Sequence, residues 1–489
     1  MSLITVDSPP KAATLIESMR DIGYSLETAL ADIIDNSITA GATKIGIHVE
    51  TSGSAPVIGI VDNGCGMTRD ELITAMRVGS RNPLDARRKL DLGRFGLGLK
   101  TASFSQCRRL TVVAQKAGER WAATWDLDFV AAQDMWALQV GHPDEQLPFL
   151  DQLQSDGVLV LWQKLDRAVE QQGTEAGRRH FVARVSDARN HLELVFHRFL
   201  SGEPGLRKTE IRLNNLTLVP FDPFHASHMA TIQGRTEIVR IKGHDISIKA
   251  FTLPHHRNVS AAEWEQFAGA SGYVKNQGFY LYRERRLIIH GTWFGLARQG
   301  ELTKLCRVRI DTPNSLDSEW TVDVKKAWAR PPLQLRTRLA GLIRTLGEPS
   351  QRVYKSRGAK LYSVTDHVWK RVQENNSITY QVNERSPILR GFSEGLPDEL
   401  KSKFANLLEV MSAAIPLDAI FADMASSPET MRTSKLAKGL LVEALGETVA
   451  HLAQLGLDGG GIRDALRVME PFRSSWATVE SILDELTDE

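Results

Sequence analysis

Cysteine is scarce in this chain: Cys65, Cys107 and Cys306 stand far apart, with no CxxC spacing. That excludes a disulfide framework and a cysteine-built zinc site, and it suits a reducing cytoplasm. Long apolar runs are also missing. Nothing in the 489 residues approaches the roughly 18–20 uninterrupted apolar residues of a membrane span. The opening Met-Ser-Leu-Ile-Thr-Val-Asp has no basic stretch followed by an apolar core, so no secretory leader is expected. Repeats and low-complexity segments are absent. What is present is ordinary for a globular protein, with 42% hydrophobic and 24% charged residues, in a chain long enough for about three domains.

A net charge of +1 hides an asymmetry. Between Phe279 and Lys360 there are 17 Lys/Arg against 7 Asp/Glu, whereas Arg390–Glu489 holds 9 against 17. A basic middle and an acidic tail can mean a polyanion-binding surface, two mutually attracting parts, or merely solvated faces.

The first 165 residues alternate helical and strand patterns. Lys11–Arg20 reads as a short helix, and a second starts at the N-cap Ser25 and stops near Gly41. Ile45, Ile47 and Val49 alternate as a strand, and Val57–Val61 is a more continuously apolar one. Thr68-Arg69-Asp70-Glu71 is a capping box opening a helix to about Val78. Strands follow at Leu110–Ala114, Trp121–Leu127 and Val158–Trp162, which suggests helices packed on one face of a sheet. Residues 167–205 turn helical, with Val182, Val185, Leu192, Leu194, Val195 and Phe199 as core candidates. Strands return at Glu210–Leu213, Ile238–Ile241, Ile246–Phe251, Gly278–Ile289 and Arg307–Ile310. After Pro331-Pro332 the chain reads as nearly all helical.

Three short motifs carry chemistry. On the second helix, Leu26, Leu30, Ile33, Ile34 and Ser37 share one face, with Asp32, Asp35 and Asn36 opposite. Asp32 and Asn36 lie one turn apart, so a carboxylate and an amide could hold a water and a Mg²⁺ over a triphosphate. A solvated helix face would look the same. The second motif, Asp62-Asn63-Gly64-Cys65-Gly66-Met67, follows an apolar strand. Asp62 could accept a hydrogen bond from the exocyclic amine of adenine, and the glycines allow a close turn, as in any Asn-Gly turn. The third, Gly93-Arg94-Phe95-Gly96-Leu97-Gly98-Leu99-Lys100, misses the Walker A spacing by one residue, but it is a glycine-rich loop opening a helix, suited to phosphate. The polar stretch before it, Gly79 to Leu92, has the composition of a lid.

In this order and spacing the three motifs resemble the GHKL ATPase superfamily, which includes gyrase, the dimeric ATP-dependent chaperone, histidine kinases and MutL. The resemblance is close over about residues 15–165, looser to about 330 and absent beyond. It implies an α+β, Bergerat-fold ATP-binding domain (1–165, helices packed on a mixed sheet), a transducer-like α+β domain (166–332) and a mainly helical C-terminal domain (333–489). It implies ATP and Mg²⁺ as ligands. Asp32 would be the catalytic base, Asn36 the metal ligand and Asp62 the adenine reader. Gly64, Gly66 and Met67 would line the site, with Gly93, Arg94, Phe95, Gly96, Leu97, Gly98 and Lys100 around the phosphates. Lys325 or Lys326, in Trp320-Thr321-Val322-Asp323-Val324-Lys325-Lys326, resembles the transducer lysine that reaches the γ-phosphate, although an ordinary basic strand end would read alike.

Two departures stand out. Most hydrolytic members have Glu where this chain has Asp32, and a misplacement of about 1 Å can cost on the order of 10²-fold in rate, so slow turnover is expected. Gly157-Val158 lacks the threonine that usually precedes the closing strand. The run Gly93–Ser105 looks most like the MORC- and MutL-related group, whose bacterial members resemble parts of phage-defence systems. The resulting expectation is a cytoplasmic, nucleotide-gated homodimer that touches DNA through 279–360 and works with a partner effector such as a nuclease. A chaperone, or a nucleotide-binding scaffold without significant hydrolysis, is the alternative. A histidine kinase would need a phospho-accepting histidine ahead of the site, and the 24 residues before Ser25 contain none.

Overall fold

The computed structural model describes residues 8, 10–51, 55–79, 91–93, 98–168, 174–269, 271–322, 329–355, 368–374, 377–384, 386–417, 419–420, 436–454 and 456–487. The chain divides into two compact units, Met1–Ser350 and Gln351–Glu489.

The first unit opens with α1 (Ala12–Arg20) and α2 (Leu26–Thr39), then β1 (Lys44–Glu50), β2 (Val57–Asp62), α3 (Arg69–Met76) and α4 (Gly98–Phe104). β3 (Arg109–Lys116), β4 (Glu119–Asp126), α5 (Leu127–Gln133), β5 (Gln139–Gly141) and β6 (Gly157–Gln163) follow. α6 (Glu175–Val195) and α7 (His197–Ser201) lead to β7 (Glu210–Leu213) and β8 (Leu216–Thr217). These strands form one eight-stranded mixed sheet in the order β5-β4-β3-β6-β2-β1-β7-β8. Every pairing is antiparallel except that of β7, which adds parallel to β1. This is the α+β layer arrangement expected, since the apolar stripes of α2 and α6 need a sheet face to cover them. Leu30, Ile33 and Ile34 of α2 pack with Ile45, Ile47, Ile58 and Ile60 in one core. The opposite sheet face is covered too: Leu150 and Leu153 pack on Val113, Leu159 and Leu161.

A second sheet uses β9 (Ile232–Gln233), β10 (Glu237–Ile241) and β11 (His244–Thr252). After α8 (Ala261–Ala268) and α9 (Gly272–Lys275) it adds β12 (Gly278–Arg283), β13 (Arg286–Thr292) and β14 (Cys306–Thr312), in the order β10-β11-β14-β12-β13, with β9 on β11. Alternation along β12 explains its continuously apolar sequence. Tyr280 and Tyr282 join the core under α2 and α6, while Phe279 and Leu281 join a second core. Leu335 and Leu339 of α10 (Leu333–Lys355) belong to that second core.

Three expectations need correcting. Gly278–Ile289 is a hairpin rather than one strand, because Glu284 and Arg285 both take positive φ (47° and 67°). Neither residue carries the Asn-Gly signal of such a turn. On α6 the buried face runs through Phe181, Ala188, Leu192 and Val195, and Val182 is 54% exposed. The tail is not all helical: strands Trp369–Glu374 and Ser377–Val382 pair there. Helices Pro387–Glu394, Asp398–Ala413, Lys438–Gln454, Gly459–Val468 and Trp476–Thr487 make up the rest of the second unit, around Leu445, Leu466, Phe472 and Val479. Among the described residues no helix is long and apolar enough to cross a membrane.

Candidate functional site

Helix α2 is where the three motifs meet. The sequence assigns it one polar face, but the packed helix is buried nearly all round: Asp32, Asp35 and Ser37 are inside and Asn36 is exposed. The reason is that the first sheet covers one side and elements distant in sequence cover the other.

Asp32 faces the start of α4. The Tyr24 hydroxyl donates to its Oδ2 at 3.0 Å, and a Cβ built on Gly98 would lie 3.3 Å from the same oxygen. Burial, then the neighbouring Asp32 charge, pushes the Tyr24 hydroxyl far above the usual phenol range, so it remains a donor. Gly98 thus lets the start of α4 pass close to a buried carboxylate, where a side chain would crowd it.

Asp62 ends β2 in the middle of the sheet, paired with Ile45 on one side and Val158 on the other. Its Oδ2 accepts from Ser37 Oγ at 2.7 Å and its Oδ1 from the Gly64 N–H at 2.8 Å. Burial raises its pKa, opposed by the Ser37, Gly64 and Val158 hydrogen bonds. A carboxylate offers about four acceptor sites, so capacity for another donor remains. The sequence lacks a threonine after Gly157; the hydroxyl that reaches Asp62 comes from Ser37 instead.

The surrounding turn admits nothing larger than glycine at two points. Gly66 has φ +61°, and a Cβ there would meet Gln115 O at 1.9 Å. Gly157 has φ +156°, and its Cβ would meet Asp62 O at 2.0 Å. Asn63 Oδ1 accepts the Thr43 and Lys44 N–H groups, each at 2.9 Å, and fixes the turn to the α2–β1 connection. Met67 is half-buried and packs against the main core.

The third motif enters from Asp91 and Leu92. The Leu92 N–H donates to Thr39 Oγ1 at 3.1 Å, and the Gly93 N–H to Asp91 Oδ1 at 3.0 Å. Lys100 is buried, with Nζ donating to Ala75 O at 2.8 Å. Arg94, Phe95, Gly96 and Leu97 lie outside the described residues, as do Lys325 and Lys326 and the stretch 80–90.

Sequence reasoning missed several participants. Tyr24 and Thr39 carried no signal beyond their positions flanking α2. Ser37 was assigned to the apolar face, although it directly follows Asn36. Asp35 pairs with Arg286 at 3.1 Å, 251 positions away. The basic middle segment is also partly internal: Arg283, Arg286, Lys304 and Arg307 are buried. Of the basic side chains in α10, Arg344 is exposed and Arg338 pairs with Glu237.

Residues 24–157 match the family model described as histidine kinase-, DNA gyrase B-, and HSP90-like ATPase. The DNA mismatch repair protein MutL of Escherichia coli (strain ATCC 8739) is 35% identical over 123 residues, which cover 24% of this chain and 19% of that protein. MutL of Citrobacter koseri gives the same identity and coverage, and MutL of Enterobacter sp. (strain 638) is 34% identical over 131 residues, 24% of this chain and 20% of that protein. The chain thus spans about a fifth of the length of these curated relatives. The match falls on the segment that holds α2 and all three motifs. Over residues 24–157 the chain is thus similar to ATPases of the GHKL type, MutL among them.

Proposed function

We propose that this chain binds ATP with Mg²⁺ and hydrolyses it slowly, as a nucleotide-gated switch. The observation that carries this reading is the placement of α2, bonded through Ser37 to Asp62 at one end of the site and carrying Asp32 beside the Gly98 start of α4 at the other.

The donor set fits the ligands. Asp62, held by Ser37 and Gly64, would accept from the exocyclic amine of adenine. Asn36 is an exposed polar residue of the helix and would hold Mg²⁺, which keeps several waters and takes few protein oxygens. When bound, the metal neutralises charge on the phosphate oxygens. Gly93, Gly96 and Gly98 would let the backbone approach the phosphates, flanked by Arg94, Phe95 and Leu97. Gly64, Gly66 and Met67 would line the base. Lys100, whose ammonium has three donors, would join the phosphates while bonded to Ala75 O. Asp32, held by the Tyr24 hydroxyl, would orient the attacking water. That fixed orientation offsets part of what the shorter aspartate loses relative to glutamate. Lys325 or Lys326 would complete the γ-phosphate contacts.

By analogy with the MutL relatives, the switch would be a homodimer formed on ATP binding in the cytoplasm, acting on DNA with a separate effector such as a nuclease, for instance in phage defence. Calorimetry tests the core of the reading. Asp62→Asn should abolish ATP binding, because the amide cannot accept in the same geometry. Unchanged affinity in that variant would remove the adenine assignment. A wild type that binds ATP without turning it over would favour a scaffold over an enzyme.

A further inference from the structure

One hairpin of the second sheet holds the nucleotide helix and the foot of the glycine loop together. β12 and β13 meet in the two-residue turn Glu284-Arg285, which sets Arg283 and Arg286 opposite each other as the last pair of the ladder. Their guanidinium groups reach the first domain at two places. Arg286 Nε donates to Asp35 Oδ1 at 3.1 Å, with side-chain exposures of only 4% and 3%. Its guanidinium lies 5.3 Å from the centre of the Phe196 ring. Arg283 grips Asp317 through Nε and Nη2, each at 2.7 Å, and its Nη1 donates to the carbonyls of Asp91 and Leu92 at 2.9 and 3.0 Å. Asn314 Nδ2 adds a longer bond to Asp91 O at 3.4 Å. From the α2 side, Thr39 takes the Leu92 N–H.

Burying guanidinium groups is costly, and an apolar contact of similar volume often holds two elements together as well or better. What the arginine fork adds is direction, because its donors are fixed in a plane. The groups it fixes here are informative. Asp35 adjoins Asn36 and lies three residues from Asp32, and Leu92 adjoins Gly93. Neither arginine is placed to read adenine.

We propose that Arg283 and Arg286 are positioning residues for ATP hydrolysis, setting α2 and the entrance of the phosphate loop from the second sheet. This rests on the ATPase reading above. Seating of the hairpin then decides whether Asp32 and the loop stand in hydrolytic register, so the second sheet governs turnover more than nucleotide capture. A displacement of about 1 Å would suffice, since errors of that size cost on the order of 10²-fold in rate.

The test uses the full chain and three variants: Arg283→Gln, Arg286→Lys, and Arg286→Gln paired with Asp35→Asn. Melting temperature, ADP affinity, kcat, KM and amide exchange at Leu92 are measured for each. The paired variant removes both buried charges and keeps hydrogen-bonding groups. It should melt near wild type and bind ADP within about twofold, yet lose about tenfold or more in kcat. Arg286→Lys keeps the charge without the fork, so it should show the same fall and covers the case in which the paired variant does not fold. Arg283→Gln should exchange Leu92 faster and lose about tenfold of its preference for a non-hydrolysable ATP analogue over ADP. Wild-type kcat in all folded variants, unchanged Leu92 exchange, or equal losses of ADP and ATP binding would each overturn the positioning role alone. A wild-type chain that binds no ATP would overturn the ATPase reading, and this role with it.

Discussion

Asp62 serves two purposes that pull against each other. Its burial disfavours the charged form, while the proposed contact to the adenine amine requires it. The sign follows from the raised pKa. Folded Asp62 takes up a proton more readily than the unfolded chain, so it weakens stability at neutral pH, and that penalty fades on acidification. ATP affinity should move the opposite way. It should fall as pH drops, with a midpoint above the ordinary aspartate value of about 3.9, and calorimetry across pH 4–7 would read it. A midpoint at or below that value would show that the Ser37 and Gly64 bonds outweigh burial. Asp32 is expected to act on rate alone. Asp32→Asn should keep ATP affinity and slow hydrolysis by about 10²-fold or more. Tyr24→Phe should lower kcat several-fold without changing affinity, and should add nothing in the Asp32→Asn background if it works through that carboxylate. Additive losses would assign Tyr24 to packing. Asp32 and Asp62 were legible from their spacing. Tyr24 and Ser37 were not, because a hydroxyl beside a helix has no period of its own.

Elements differ in how much of the site they carry, and two substitutions separate the cases. Thr68 and Glu71 form a complete capping box on α3, with the Thr68 N–H on Glu71 Oε2 at 2.8 Å and the Glu71 N–H on Thr68 Oγ1 at 3.4 Å. Thr68→Ala should cost about 1 kcal/mol and leave nucleotide affinity alone, since the Thr68 hydroxyl caps α3 and Glu71 keeps its ion pair with Lys116. Gly157→Ala is another matter. Its Cβ would fall 2.0 Å from Asp62 O, in a backbone conformation that alanine resists. Separating β6 from β2 at that point moves Asp62, so ATP binding and thermal stability should fall together. A variant that melts normally and binds ATP would show that the strand ends can part without harm to the site. The capping box was readable because it is local. The hairpin turn at Glu284-Arg285 was not, because its residues lack turn chemistry and packing on both sheet faces imposes the bend.

At the scale of the whole molecule, buried histidine and surface arginine set the response to solution conditions. His197 is buried against the Tyr282 hydroxyl at 2.8 Å, with Asp222, Arg198, Glu203 and Arg309 as the charges around it. Burial lowers its pKa to about 4. A histidine held neutral in the fold stabilises it above the unfolded value of about 6.5, and that contribution is lost as pH falls from there towards 4. The melting temperature should therefore decline through this window, and His197→Gln should flatten the decline. For the proposed DNA contact, the buried arginines of the second sheet are poor candidates, and the exposed Arg344 of α10 is a better one. Reversing Arg336 and Arg344 to glutamate should weaken binding about equally for unrelated sequences and make its salt dependence shallower, because fewer counterions are released. Unaltered binding would exclude this helix as the contact.

The sequence by itself determined where the three proposed nucleotide motifs sit on helix and strand ends, and most strands of both sheets. These depend on short-range periodicity, caps and glycine geometry, which a linear reading can see. Tertiary structure decided the rest. Asp35 changed from a solvated helix residue to one half of a buried ion pair because Arg286 arrives from 251 positions away. Four cations of the basic middle segment became internal ties rather than surface charge. Lys304 pairs locally with Glu301, but for the three arginines the partners are fixed by which elements lie side by side, and no local pattern encodes that adjacency.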